Sequence, residues 1–197
     1  MDNYLKNSLI EEKLLKERII FLDGEINASL ASNIVSKLLY LDSLSNDDIM
    51  LYINSNGGEI ASGLMIYDTI NIIKSDVQTI SVGTAASMAA IILLSGTKGK
   101  RKILPNSKVM LHDLSGELKG KYNDVVIEIK EMNKVHNKIF EIIEKNSNLT
   151  MGEIKENLKN NFWLSSDEAL KYGIIDKIID SKAWNIILKK KPFCGNI

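Results

Sequence analysis

Two residues in this sequence are placed where they could do nucleophilic chemistry. Ser87 lies in the stretch Gly83-Thr84-Ala85-Ala86-Ser87-Met88-Ala89-Ala90, between the β-branched run Val77–Val82 and the apolar run Ile91–Leu94. The first run reads as a buried strand and the second as a buried helix. The small residues between them permit a sharp turn that leaves Ser87 in the helix's first turn. A hydroxyl there meets unsatisfied backbone N–H groups and the positive end of the helix dipole. Such a serine can attack a carbonyl and hand the resulting oxyanion to adjacent amides. It can equally be a small capping residue in a tight bend. The second candidate, His112, ends the apolar strand Val109-Met110-Leu111, where a strand delivers its last side chain to an edge or cleft. It fits a general base or a satisfied structural histidine. The other histidine, His136, falls among lysines and polar residues of a long helix, a solvated or interface position.

Composition narrows the classes. The chain has 197 residues, 45% of them hydrophobic, and 25 charges of each sign. These values predict one soluble globular domain over 1–197, with 1–8 a short N-terminal segment and 185–197 a basic, Pro- and Gly-containing tail without fixed structure. Balanced charge argues against nucleic-acid or anionic-membrane partners, and the basic clusters Lys98–Lys102 and Lys189–Lys191 are too short to reverse that. No apolar run approaches the roughly 20 residues of a membrane span. Met1–Lys16 lacks the apolar centre of a signal peptide. The single cysteine, Cys194, has no internal disulfide partner, and no His/Cys cluster has metal-ligand spacing. A cytoplasmic protein without metal or cofactor is the expectation.

The elements that must position Ser87 and His112 follow in order. Residues 9–17 have helical spacing, and 18–26 reads as a strand with a turn at Asp23-Gly24. Asn27 or Ser29 caps a helix to about Leu44, with Leu30, Ile34, Leu38 and Leu41 on one face. A strand over 48–54 breaks at Ser55-Asn56-Gly57-Gly58, and a helix over 59–74 leads into the strand before Ser87. This strand–helix alternation predicts an α/β fold with buried parallel strands. Lys98-Gly99-Lys100-Arg101 reads as a solvated turn and Pro105-Asn106-Ser107 as another, with short strands between and after them, the second over 108–112. Residues 113–121 read as a loop or edge strand. A helix over 122–145 follows, its stripe of Val125, Ile129, Met132, Val135, Ile139 and Ile142-Ile143 running about six turns. So small a domain cannot cover that stripe, which therefore points to another subunit. Short helices over 150–157 and 166–172, the latter closed by Gly173, precede a strand over 174–179.

The runs LLKERIIFLDGEI (14–26), LYINSNGGEIASGLMIYDTI (51–70), VGTAASMAAIILLSGTKGKRKILPNSKVMLH (82–112) and FWLSSDEALKYGIID (162–176) together resemble the proteolytic subunits of the Clp protease, the ClpP family. The resemblance spans about residues 10–185, in order. It implies a ClpP/crotonase-like spiral of β-β-α units with a protruding handle helix. It makes Ser87 the nucleophile and His112 the general base, with the amides of Gly58 and Met88 as oxyanion donors and Gly57, Gly58, Glu59 and Ile60 as the substrate-binding loop. The family's third triad member, an aspartate two residues before an aromatic, falls on Asn161, with Trp163 in the aromatic place; a one-residue slip selects Asn160. Neither is a carboxylate. Asparagine can accept a hydrogen bond from His112 but offers no charge to the imidazolium, and the equivalent change in a chymotrypsin-type triad lowers kcat by about 10⁴.

Further departures are Asn56 for the usual proline, Asn160 for an arginine of the ring–ring contact, Lys159 for an acidic or polar neighbour, and Asp113-Leu114 after the histidine in place of Gln-Pro. The N-terminus is also shorter than the family's axial loops require. The resemblance implies heptameric rings stacked into a tetradecamer through helix 122–145, fed with unfolded polypeptide by a AAA+ Clp ATPase that docks on apolar pockets. Tyr52 and Ile72 match the docking positions, and Lys102 stands where an apolar residue is common. The reading is a serine endopeptidase of weak or conditional activity. The alternative is a low-activity structural or regulatory subunit of a mixed chamber with a standard ClpP paralogue. A hydratase-like enzyme on the same spiral fold is disfavoured by the Ser87/His112 pair.

Overall fold

The computed structural model describes residues 3–179, with side chains from residue 9 onward; the tail expected over 185–197 lies outside the described residues. Five strands run parallel in the spatial order β1 (Ile19–Asp23), β2 (Ile49–Ser55), β3 (Val77–Ala86), β4 (Lys102–Ile103) and β7 (Lys177–Ile178). Helices α2 (Ala28–Leu44), α3 (Ile60–Ile72) and α4 (Met88–Leu94) join and follow the first three. With a helix after each of these three strands and buried parallel ladders, the chain is the mixed α/β fold that the alternation predicts.

β3 is the trunk of the sheet. Its first half pairs with β4 through Ile80↔Lys102 and Ser81↔Ile103. Its second half pairs with β5 (Lys108–Leu111) through Thr84↔Lys108, Ala85↔Val109 and Ala86↔Met110. The strand therefore does not end at Val82, as its β-branched residues suggest, but runs to Ala86 with Ser55↔Ala85 on the other side. Glycine and alanine are weak strand formers, yet here both edges of the segment have ladder partners, and paired backbone outweighs propensity. β5 also pairs, antiparallel, with β6 (Phe162–Leu164), a three-residue strand without a periodic signature in the sequence.

The main core lies between this sheet and its helices. Side chains alternate across β2, so that Leu51 and Ile53 join the main core while Tyr52 packs in a smaller cluster with Ile80 and Ile179 on the other face. Every residue of α4 is buried, the pattern of a helix apolar all round at the centre of a domain. Asn27 caps α2, its side-chain oxygen accepting from the Leu30 N–H at 3.0 Å. Capping boxes at Thr150 and Ser165 start α6 (Met151–Asn157) and α7 (Ser166–Lys171). Gly173, at φ 68°, ends the latter.

Several boundaries differ from expectation. α1 runs from Asn3 to Lys16 rather than starting at Leu9, so residues 3–8 of the expected N-terminal segment belong to the helix. Residues 113–121 form a loop and not an edge strand. The last strand is confined to Lys177–Ile178, with Ile174 and Ile175 buried before it. α5 (Tyr122–Asn146) is 25 residues long and buries only Ile139, Phe140, Ile142 and Ile143, so its first half stands away from the domain with Tyr122 and Ile127 exposed. No helix among the described residues is long and apolar enough to cross a membrane.

The turn 98–101 is less solvated than its charges suggest. Lys100 pairs with Asp48 and Asp76 at 2.8 and 2.7 Å. Arg101 is buried, and its guanidinium meets Asp176 at 2.6 Å while also donating to the Asn146 carbonyl at the end of α5. Burial alone would raise the Asp176 carboxyl, but donors from the Arg101 side chain and backbone and from the Gly99 amide outweigh it and hold it below its ordinary value. A carboxylate depressed on folding stabilises the protein above its unfolded pKa, about 4, and that contribution is lost as pH falls through the folded value. Asp176→Asn is expected to lower the urea midpoint at neutral pH and to flatten its decline below about pH 4. Parallel acid limbs in the two proteins would refute this.

Candidate active site

Ser87 forms the joint between β3 and α4. Its N–H donates to the Met110 carbonyl at 2.8 Å, and its own carbonyl accepts from Ala90 and Ile91. This fixes it as the N-cap of α4 and not a first-turn residue, with φ 55° and ψ −126°. Positive φ in a non-glycine residue is strained and persists only when surrounding bonds over-determine it. The side chain makes no capping hydrogen bond, so the hydroxyl is not spent on the helix.

His112 follows the last residue of β5. Because β3 and β5 are adjacent and parallel, Ser87 and His112 both leave the carboxyl ends of their strands, where open α/β sheets form their crevices. They line one small cleft of about 60 Å³, together with Gly58, Ile60, Met88 and Leu111. Ile139 and Ile143 of α5 and the loop residues Asp113, Leu114 and Ser115 complete its wall. The sequence reading does not assign these last five to the site. The helical stripe did contain the two isoleucines, and its inner end is the part that reaches the cleft.

The glycine pair packs directly on Ser87. A Cβ on Gly57, whose φ is 94°, would lie 2.7 Å from both the Ser87 Cβ and the Ala86 carbonyl oxygen, and 3.0 Å from the Met88 nitrogen. A Cβ on Gly58 would overlap the Ile26 backbone at 2.2 Å. Glycine is required at both positions by this approach. Ile26 donates to the Gly57 carbonyl and accepts from the Glu59 N–H, both at 2.8 Å, which pins the pair on either side of Gly58. Among the described residues the amides of Gly58 and Met88 have no acceptor. Glu59 turns its carboxylate to the Ser62 hydroxyl, away from cap duty, and Ile60 closes the cleft floor.

Asn161 stands one residue before β6. The β5–β6 register runs Val109↔Leu164, Met110↔Trp163, Leu111↔Phe162, so His112 and Asn161 adjoin its last pair and Asn160 lies one residue farther along; the next backbone bond, Asp113 N–H to the Leu158 carbonyl, leaves that register. Asn161 is exposed and does not line the cleft. Among the described residues no hydrogen bond joins the side chains of Ser87, His112 and Asn161 to one another. Such bonds commonly tighten only around substrate.

Of the two positions the resemblance marks for docking, Tyr52 is 8% exposed and stacks on Phe21 with ring centroids 5.1 Å apart, whereas Ile72 at the end of α3 is 76% exposed and packs in neither apolar cluster. Lys102, half-buried on the same sheet face as Tyr52, donates to Gln78. Burial, with the positive charge of Lys177 beside it, lowers its pKa.

A strained serine at a strand–helix joint, a histidine lining the same cleft and two acceptor-free amides beside a glycine pair are the parts that hydrolysis of an acyl bond requires. Residues 3–182 match the Clp protease family. Over 170 residues, 86% of this chain and 88% of the relative, the sequence is 46% identical to the "ATP-dependent Clp protease proteolytic subunit" of Carsonella ruddii (strain PV). The chain belongs to the Clp protease family, and it is a serine-type peptidase.

Proposed function

We propose that this chain is the endopeptidase subunit of a Clp-type chamber, with Ser87 as nucleophile, His112 as general base and Asn161 as the residue that orients it. One observation carries the reading: Ser87, His112 and the acceptor-free amides of Gly58 and Met88 converge on a single cleft. The Ser87 hydroxyl gives its proton to His112 as Oγ attacks the scissile carbonyl carbon. The oxyanion that forms is held by the two amides. His112 then returns the proton to the leaving amine, and a water deprotonated by the same imidazole hydrolyses the acyl-serine. Asn161 accepts from His112 Nδ1–H through its side-chain carbonyl. It supplies direction but no charge, so turnover is weak or conditional on assembly. The loop Gly57–Ile60 carries the substrate backbone past Ser87.

The exposed apolar half of α5 supports stacking of heptameric rings into a tetradecamer, and the relative's printed name supports an ATP-dependent partner, here a AAA+ Clp ATPase delivering unfolded polypeptide in the cytoplasm. Tyr52 and Ile72 are the proposed docking positions. A second reading, a low-activity subunit in a mixed chamber with a standard ClpP paralogue, is favoured by one feature: the third triad position is uncharged and unbonded to His112.

Hydrolysis of a fluorogenic peptide by the assembled protein tests the proposal. Ser87→Ala and His112→Ala are each expected to remove all measurable turnover, a loss on the order of 10⁴-fold or more where the wild-type rate permits its measurement. Unchanged hydrolysis in Ser87→Ala would exclude Ser87 as the nucleophile.

A further inference from the structure

Three contacts outside the triad meet on the residue that follows His112. The Asp113 N–H donates to the Leu158 carbonyl at 3.2 Å. Its Oδ1 accepts from the Leu114 N–H at 2.7 Å, and Nε2 of His136 lies 2.9 Å from the same oxygen. His136 lies on α5, its ring tilted against the buried Phe140 with centroids 4.1 Å apart. One and two turns farther along the same helix, Ile139 and Ile143 form part of the cleft wall. The helix that walls the cleft thus touches the side chain of the residue next to the proposed base.

An exposed ion pair of this kind adds little to stability, and Asp113 is about half exposed. Its effect is positional. Upstream, His112 is held by the β5–β6 ladder through Leu111↔Phe162. Downstream, in a loop to residue 121 without regular structure, it is held through Asp113 and the packing of Leu114 on the main core. No hydrogen bond among the described residues holds the imidazole itself. An uncharged Asn161 orients a ring more weakly than a carboxylate, which leaves the backbone on both sides of His112 as the principal restraint.

We infer that Asp113 and His136 are a positioning pair that locks the backbone of His112 to the long helix, so that the imidazole faces Ser87 without a charged third residue. The inference rests on the Ser87–His112 reading above. A base displaced by about 1 Å loses roughly a hundredfold in rate, whereas the binding loop Gly57–Ile60 lies on other elements and is untouched.

The test is steady-state hydrolysis of a short fluorogenic peptide by full-length assembled protein, with Ser87→Ala as the blank. His136→Phe keeps the packing on Phe140 and removes the donor; it is expected to lower kcat by about tenfold to a hundredfold with KM unchanged. His136→Gln keeps an N–H that can reach the carboxylate and is expected to retain most of kcat. Asp113→Ala should match His136→Phe, and the double variant should fall no further, since the two act as one unit. Wild-type kcat in His136→Phe, failure of His136→Gln to rescue, or multiplicative losses in the double variant would each overturn the positioning role while leaving Ser87 as nucleophile. A wild-type rate no different from the Ser87→Ala blank would instead overturn the underlying reading, and the positioning role with it.

Discussion

Replacing Asn161 with aspartate is expected to raise kcat for peptide hydrolysis by at least about 10²-fold, toward the roughly 10⁴-fold by which the opposite change disables a chymotrypsin-type triad. The argument is electrostatic. In the proposed mechanism His112 takes the Ser87 proton and becomes an imidazolium in a small cleft partly walled by Ile60, Leu111, Ile139 and Ile143, where an uncompensated charge is expensive. An aspartate at the third position would stabilise that cation and select the tautomer with its proton on Nδ1. Asparagine offers its carbonyl in one orientation and its NH₂ in the other, and the second stabilises the wrong tautomer. The proposal assigns the third position to Asn161, the residue immediately before β6. Asn160→Asp is the control and should give a far smaller change. An unaltered kcat in correctly sized Asn161→Asp particles would show that the third position does not limit turnover.

The second large effect concerns stability. Arg18, buried and at φ 61°, joins α1 to β1. Its guanidinium donates to the carbonyls of Leu41 (2.9 Å), Ser45 (3.2 Å), Asp47 (2.8 Å) and Asp48 (3.3 Å), and to the Ser75 hydroxyl (3.2 Å). Among the described residues no carboxylate pairs with it. Its partners lie at the carboxyl end of α2 and in the turn to β2, where a cation also meets the negative end of the helix dipole. Arg18→Ala removes all five donated bonds, while the Leu41 and Ser45 carbonyls keep the Ser45 N–H and the Ser75 hydroxyl, and unfolding free energy is expected to fall by about 2–3 kcal/mol. Lysine, a point charge without the planar fork, should recover only part of this. Urea denaturation of the three proteins measures it, and a loss below about 1 kcal/mol for Arg18→Ala would contradict the role assigned to these bonds.

The order of elements was legible because apolar periods and punctuation agree along most of the chain: Asn27 caps α2, Gly173 closes α7, and the α5 stripe runs its full length. What escaped was set by partners distant in sequence. Gly83–Ala86 looks like a turn by composition, and only the ladders with β2 and β5 hold it extended. β6 is too short to show alternation, although it is the strand that pairs with β5 just before His112. Arg18 sits in an ordinary charged run, Lys16-Glu17-Arg18, and its acceptors are mostly carbonyl oxygens that every residue carries. Arg101 was hidden in the same way, since its partner Asp176 lies far along the chain. At the site, the chemistry-bearing types and the small residues around Ser87 were visible. The Asp113–His136 contact was not, because nothing in a helix between lysines tells which of its residues turns inward.

The central claim is that Ser87 is a competent nucleophile in an assembled particle. The most direct measurement is reaction with a fluorophosphonate, followed by mass mapping of the adduct in wild-type and Ser87→Ala proteins across their oligomeric states. The account predicts one adduct per chain, on the peptide containing Ser87, lost in Ser87→Ala and slowed in His112→Ala. An adduct on any other residue, or none on Ser87 in any oligomeric state, would contradict it.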